Sequence, residues 1–188
     1  MKFLGISNLV TTTIRHAVLE DALGLQNLMS KSFPLACPPS VSAADIQVYL
    51  ARKCSVENFK SNIADDKTVL IVACNGSELL GYSLLVFDET ESSDIASQLS
   101  SVTSNVKLSR FYVHPDWHGE GVAQKLMQRT FEIVHELGWS ALWLTVNQQN
   151  ERANRFYQKW GFEIVGEADF ILGGSVQRDF VRERFFTD

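Results

Sequence analysis

The period of hydrophobic and polar positions changes several times along the first half of the chain, and each change marks an element. Residues 13–18 alternate as a short strand, and a 3.6-residue period through Leu23, Leu25, Leu28 and Met29 predicts a helix opened by Glu20 or Asp21. Pro34, Pro38 and Pro39 interrupt that pattern. Ser42 is placed to start a second helix carrying Ile46, Val48, Tyr49 and Leu50, and a shorter third spans residues 56–63; both are expected to cover or flank a sheet. Residues 68–74 and 79–87 read as strands joined through Asn75-Gly76, a dipeptide suited to the positive φ of a tight hairpin. From 88 to 104 the chain turns Ser-rich and acidic without periodicity, which predicts a mobile loop.

The second half is more regular. A strand at 106–113 is followed by a helix at 121–137 with apolar positions at Val122, Leu126, Met127, Thr130, Ile133, Val134 and Leu137, ended by Gly138. Residues 141–146 form a buried strand, Asn150 stands at an N-cap, residues 151–160 are helical, and Gly161 stops them. Strands at 162–166 and 180–186 complete the pattern. No repeat is present, and the reading is a loose leader at 1–10 followed by one domain at 11–188.

With 188 residues, 45% of them hydrophobic, one such domain buries an adequate core. A net charge of -5 argues against nucleic acid or anionic membrane as partners and favours a cationic acceptor. No run approaches the roughly 18 apolar residues of a spanning helix. Cys37, Cys54 and Cys74 are odd in number and lack a CxxC pair, which points to a reducing, cytoplasmic setting without disulfide or structural zinc. His114 and His118 are separated by Pro115, so they share no helix face and no metal site is expected.

Two segments carry chemistry. In 113–123, V-H-P-D-W-H-G-E-G-V-A, two glycines join a strand to a helix, where free backbone N–H groups and the helix dipole suit a phosphate. A Rossmann-type nucleotide site is disfavoured, because no acidic ribose-binding residue follows at the right distance. The second segment, 150–162, reads N-E-R-A-N-R-F-Y-Q-K-W-G-F.

Together these segments resemble the GNAT acetyltransferase superfamily, whose pyrophosphate loop matches the first and whose N-x-x-A-x-x-[FL]-Y-x-x-x-G-F pattern matches the second at every specified position. The resemblance implies a mixed, mostly antiparallel α/β sheet flanked by helices and splayed at 106–113 and 141–146. It also implies an N-acetyltransferase that uses acetyl-CoA and a primary amine. Backbone groups of Phe111, Tyr112 and Val113 would hold the pantetheine arm, and Gly119, Glu120, Gly121, Val122, Ala123 and Gln124 the pyrophosphate. Asn150 would bond the pantetheine or cap its helix, an amide near Val113 would stabilise the oxyanion, and Tyr157 would protonate the leaving thiolate.

The loop's first position is His118 rather than the family's usual Gln or Arg. Where many relatives place a carboxylate base on a central strand, this chain has Lys107 and Thr145. Tyr112, Glu89, Glu91 or ordered water remain as alternatives. R-F-Y at 110–112 and F-I-L-G-G-S-V-Q-R-D at 170–179 further resemble PaiA-type spermidine/spermine acetyltransferases, which carry a carboxylate where Lys107 stands. That resemblance implies a polyamine-like acceptor, which the acidic 88–94 loop could attract. Protein N-terminal or lysine acetylation and a non-catalytic acyl-CoA-binding module are the alternatives. Relatives dimerise through terminal strands, so Phe180, Val181, Phe185 and Phe186 are expected either at such a contact or in the core.

Overall fold

The structure, a computed structural model, describes residues 11–87, 93–100 and 104–186. The leader at 1–10 and the proposed bases Glu89 and Glu91 lie outside the described residues. Among the described residues, seven strands form one sheet: β1 Thr13–His16, β2 Thr68–Asn75, β3 Glu78–Val86, β4 Asn105–Val113, β5 Ala141–Asn147, β6 Glu163–Leu172 and β7 Ser175–Phe185. Their spatial order is β1-β2-β3-β4-β5-β7-β6. Every neighbouring pair is antiparallel except β4 and β5. The α-helices among the described residues are α1 Ala22–Ser32, α2 Ala43–Lys53, α3 Val56–Ala64, α4 Ser93–Ala96, α5 Val122–Glu136 and α6 Glu151–Lys159.

Local chemistry explains the boundaries. Ser42 accepts a hydrogen bond from the Asp45 amide at the start of α2, and Ser55 accepts one from Asn58 at the start of α3. The β2–β3 hairpin turns through Gly76 and Ser77, with Gly76 at φ 59°, while Asn75 still pairs with Glu78. Two cores lie on opposite faces of the sheet. One joins α5 and α6 to Leu142, Leu144 and Val146 of β5. The other joins α1, α2 and α3 to Leu70, Val72, Tyr82 and Leu84.

The pairing of β4 is what makes a site. Its parallel register with β5 runs from Asn105↔Ala141 only to Lys107↔Trp143, after which the two strands part. On its other edge β4 keeps pairing with β3 as far as Gly81↔Val113, with one irregularity that makes Ser109 an extra residue. The sheet is therefore continuous at one end and split at the other, as the family resemblance implies for these two strands.

Two expectations need correction. Strands β6 and β7 are much longer than 162–166 and 180–186, because residues 167–179 continue as a hairpin through Gly173 and Gly174. The Ser-rich segment is not loose where it is described. There Leu99 is buried with Trp143 and Val181, and the Gln98 side chain both accepts from Glu167 N (2.7 Å) and donates to Glu167 O (3.0 Å). That approach needs Gly166, since a β-carbon there would fall 1.5 Å from Gln98 Oε1. Strand β7 is interior, between β5 and β6. Val181 is fully buried and Phe186 packs on Phe131, the core placement expected as one of two for these residues, while Phe185 is exposed.

Candidate active site

The split opens onto two cavities on opposite faces of the sheet. The first, of about 230 Å³, is lined by Phe111, Val113, the 117–124 turn apart from Glu120, Arg152, Ala153, Phe156 and Tyr157. The His114 amide donates to Leu80 O. Alternation along an antiparallel ladder therefore points the main-chain groups of Tyr112 toward β3 and those of Phe111 and Val113 toward the split. Phe111 and the Val113 amide are thus open to an extended ligand arm, whereas Val113 O already accepts from Ser32 Oγ and lies against His118 Nε2. Tyr112 is not open to the arm, because its N–H and C=O face Tyr82 in the β3–β4 ladder.

At the far end of this cavity the chain turns into α5. Gly119 (φ 91°) and Gly121 (φ 79°, the N-cap) are left-handed, with open space around the position of a missing β-carbon. Glycine is required there for backbone freedom rather than for clearance. The turn presents the unpaired first-turn amides of Val122, Ala123 and Gln124 on the positive end of a 15-residue helix, the arrangement a pyrophosphate needs. Glu120 is exposed in the same turn, does not line the cavity, and its amide donates to Trp117 O.

His118 does not replace a Gln or Arg contact; it braces the turn instead. Its Nε2 lies 3.0 Å from Val113 O, and Arg152 donates to Nδ1 at 2.6 Å, a pattern that selects the neutral ring with the proton on Nε2. Burial first, and then the charge of Arg152, lowers its pKa, so the ring stays neutral at physiological pH. The Arg152 guanidinium is thereby placed beside the glycine turn, on the wall of the same cavity.

Tyr157 sits on α6 with 8% of its surface exposed, in edge contact with Phe111 (6.5 Å between centroids) and Phe162 (5.6 Å). Burial raises its pKa well above that of a free phenol, and the nearby Arg182 only partly opposes this, so Tyr157 keeps its proton. Asn150 caps α6, its Oδ1 accepting from Ala153 N at 3.1 Å. It lines the second cavity rather than the first.

That second cavity, of about 270 Å³, lies beneath α2 and is lined by Lys107, Ser109, Tyr49, Tyr112, Thr145, Asn147, Gln177 and Asp179, among others. The positions left in place of the family's carboxylate, Lys107 and Thr145, both face it, and Lys107 Nζ sits 4.9 Å over the Trp143 ring. Burial raises the Tyr112 pKa far above the phenol range, which removes it as a base at neutral pH. Asp179 carries the signal that sequence reading passed over. It ends the F-x-L-G-x-x-x-Q-x-D stretch, two residues along the same face of β7 from Gln177 and from Val181.

A further pair also went unread. Arg182, 5% exposed, donates through Nε and Nη2 to Asn154 Oδ1 (3.1 Å each) and through Nη1 to Phe162 O (3.0 Å). Asn154 in turn donates to Asn147 O and Asn150 O. Asn154 fills an unspecified position of the N-x-x-A-x-x-[FL]-Y pattern, so only its polarity on a packed helix face could have flagged it.

Comparison with known proteins agrees with this geometry. Residues 25–162 match the acetyltransferase (GNAT) family. The chain is 32% identical over 166 residues to an uncharacterized N-acetyltransferase of Mycobacterium tuberculosis, covering 88% of this chain and 98% of that one. Over 66 residues it is 32% identical to the spermine/spermidine N(1)-acetyltransferase of Bacillus subtilis, covering 35% of this chain and 43% of that one. Among solved structures it is similar to the PaiA N-acetyltransferase of Thermoplasma acidophilum in complex with coenzyme A. There the TM-score is 0.76 at 22% identity, covering 94% of this chain and 99% of that one. No helix among the described residues is long and apolar enough to cross a membrane. The split sheet, the glycine turn at the start of α5 and the matched family together identify the chain as a member of the acetyltransferase (GNAT) family, an N-acetyltransferase that draws its acetyl group from acetyl-CoA.

Proposed function

We propose that the chain acetylates a small cationic primary amine of the polyamine type by direct transfer, with Tyr157 as the general acid. The observation that carries this reading is the parting of β4 from β5 beyond Lys107 and Trp143. It leaves the main chain of Phe111 and Val113 facing a cavity that Tyr157 closes, with a separate polar cavity on the opposite face for the acceptor. Acetyl-CoA supplies the acetyl group already activated as a thioester. The residues fit it: an open strand edge for an amide-containing arm, glycine-shaped amides for a pyrophosphate, and Arg152 at the rim for further phosphate charge.

What the chain supplies is orientation and protons. The Val113 amide points into the split as a fixed donor for developing negative charge, and Tyr157 holds a proton for the departing thiolate. The acceptor class is supported by the likeness to the Bacillus subtilis spermine/spermidine enzyme and by a confined cavity with a carboxylate on its wall. Thiol release from acetyl-CoA, measured against spermidine, spermine, small aminoacyl compounds and short peptides, tests it. Turnover restricted to polyamines supports the reading, whereas turnover restricted to peptides would replace it with protein acetylation. CoA binding without turnover of any amine would replace it with a binding module.

The glycine turn gives a separate expectation. Gly121→Val forces a β-branched residue to φ 79°, at roughly 1–2 kcal/mol. Either the turn relaxes and misdirects its amides or the helix start is strained. CoA affinity is expected to fall about tenfold by calorimetric titration, the equivalent of about 1.4 kcal/mol.

A further inference from the structure

We propose that Asp179, on β7, is the general base of this enzyme: it receives the acceptor's ammonium in the second cavity and takes its proton before attack. The inference rests on the transfer reading above and supplies the group missing from β4 and β5. The carboxylate is 7% exposed and lines the cavity whose other walls are Lys107, Ser109 and Tyr112 of β4, Thr145 and Asn147 of β5, and Tyr49 of α2. Asn147 Nδ2 donates to it at 3.3 Å, and among the described residues no cation forms an ion pair with it. A buried carboxylate held by neutral donors, on the wall of a polar cavity, is a receptor for a positive charge brought in from outside.

Its position fits the topology. β7 pairs with β5 beyond the point where β4 has left, and Asp179 stands opposite Asn147, the last residue of β5. A residue there faces the open end of the split from the α2 side, opposite the face occupied by Tyr157 and the α5 turn. Acid and base thus come from different faces of one sheet, and the acceptor enters between them.

The other titratable groups facing this cavity are unsuited to the task. Burial keeps Tyr112 and Tyr49 protonated, it pushes the Cys37 thiol up to about 11, and Lys107, drawn over the Trp143 ring, is itself a cation. Asp179 is different. Burial lifts its pKa from 3.8 to about 6, and the Asn147 amide and Thr145 hydroxyl offset this only in part. It is therefore ionised at neutral pH yet basic enough to share a proton with an ammonium whose charge it compensates.

The proton balance closes. The ammonium gives one proton to Asp179, which passes it to solvent. As the N–C bond forms and the C–S bond breaks, Tyr157 places its proton on sulfur. The second proton lost by the nitrogen, as it becomes an amide, restores the phenol. One ammonium and one thioester become one amide, one thiol and one released proton.

The test compares kcat/KM against pH for wild type, Asp179→Asn and Asp179→Glu, using spermidine or whichever amine of the panel turns over. Wild type should lose activity as pH falls through about 6, because the protonated carboxyl cannot accept a proton. Asp179→Asn should be about 100-fold slower at pH 7.5. It should lack that acidic limb and instead speed up with pH as neutral amine becomes available. Asp179→Glu should recover part of the rate and the limb. CoA affinity should not change, and the melting temperature of Asp179→Asn should not fall, since a near-isosteric amide removes an uncompensated buried charge. An Asn variant within threefold of wild type, or one that keeps the limb near pH 6, would overturn the proposal. If peptides rather than polyamines turn over, the acceptor reading fails alone, and the same comparison on the peptide still decides the role of Asp179.

Discussion

Tyr157→Phe is expected to lower kcat for acetyl transfer by about 100-fold or more, while CoA affinity stays within about twofold and the melting temperature hardly moves. The substitution removes one oxygen and leaves the ring. Tyr157 packs through that ring against Phe111, Phe156 and Phe162, so the core around α6 is preserved. Under the proposed mechanism the lost function is proton donation to the leaving sulfur, which matters only as the C–S bond breaks. The change should therefore appear in kcat rather than in binding.

The direction of the pKa shift supports an acid rather than a base. Burial holds the phenol protonated far above neutrality, so Tyr157 is ready to donate throughout pH 6–9 and adds no titration of its own in that window. Steady-state kinetics beside calorimetric CoA titration would separate the outcomes. An undiminished kcat would show that the thiolate leaves without assistance and that Tyr157 is a packing residue.

Much of this site could be read from the chain because its parts are local. The end of a strand, a glycine-bearing turn and the start of a helix fall within the fourteen consecutive residues 111–124, and the amides proposed for the pyrophosphate are fixed by backbone geometry that Gly119 and Gly121 make accessible. Asn150 and Gly161 likewise announce the ends of α6 by chemistry confined to one turn. The acceptor side was obscure because its residues meet only through the sheet. Asp179, Asn147 and Lys107 lie on three strands, and nothing local says that β7 inserts between β5 and β6. The long β6–β7 hairpin was missed for a related reason. Its Glu167 and Asp169 alternate with Gly166, Ala168 and Phe170 and both pair with Arg178 across the strands at 2.6–2.8 Å, so a charged stretch without a continuous apolar run is an outward-facing strand surface. Tyr112 was misjudged by one residue of register, since the side of a strand on which a main-chain amide falls depends on the partner's alignment.

Arg182→Leu is expected to be the most damaging single change outside the reacting groups, because Arg182 connects the strand bearing Asp179 to the helix bearing Tyr157. Its guanidinium is almost fully buried without a carboxylate partner, satisfied by Asn154 Oδ1 and Phe162 O, and burial lowers its pKa. Leucine relieves the cost of burying the charge but leaves both acceptors without a donor in a buried site. At about 1–3 kcal/mol for each unsatisfied group, the net loss is expected to be about 3 kcal/mol. For a domain of this length that lowers the melting temperature by roughly 6–12 °C. Activity should suffer as well. The Arg182 charge is what opposes the rise of the Tyr157 pKa, so its removal makes the phenol a weaker acid, and Asn154 loses the partner that holds the start of α6 against the end of β5. Arg182→Lys, which keeps the charge but cannot reach both acceptors, should recover more of the activity than of the stability. Thermal unfolding measured beside kcat for the two variants distinguishes these contributions. Equal losses in both would mean that only the hydrogen bonds matter, and an unchanged melting temperature for Arg182→Leu would remove the network from any account of how α6 is held.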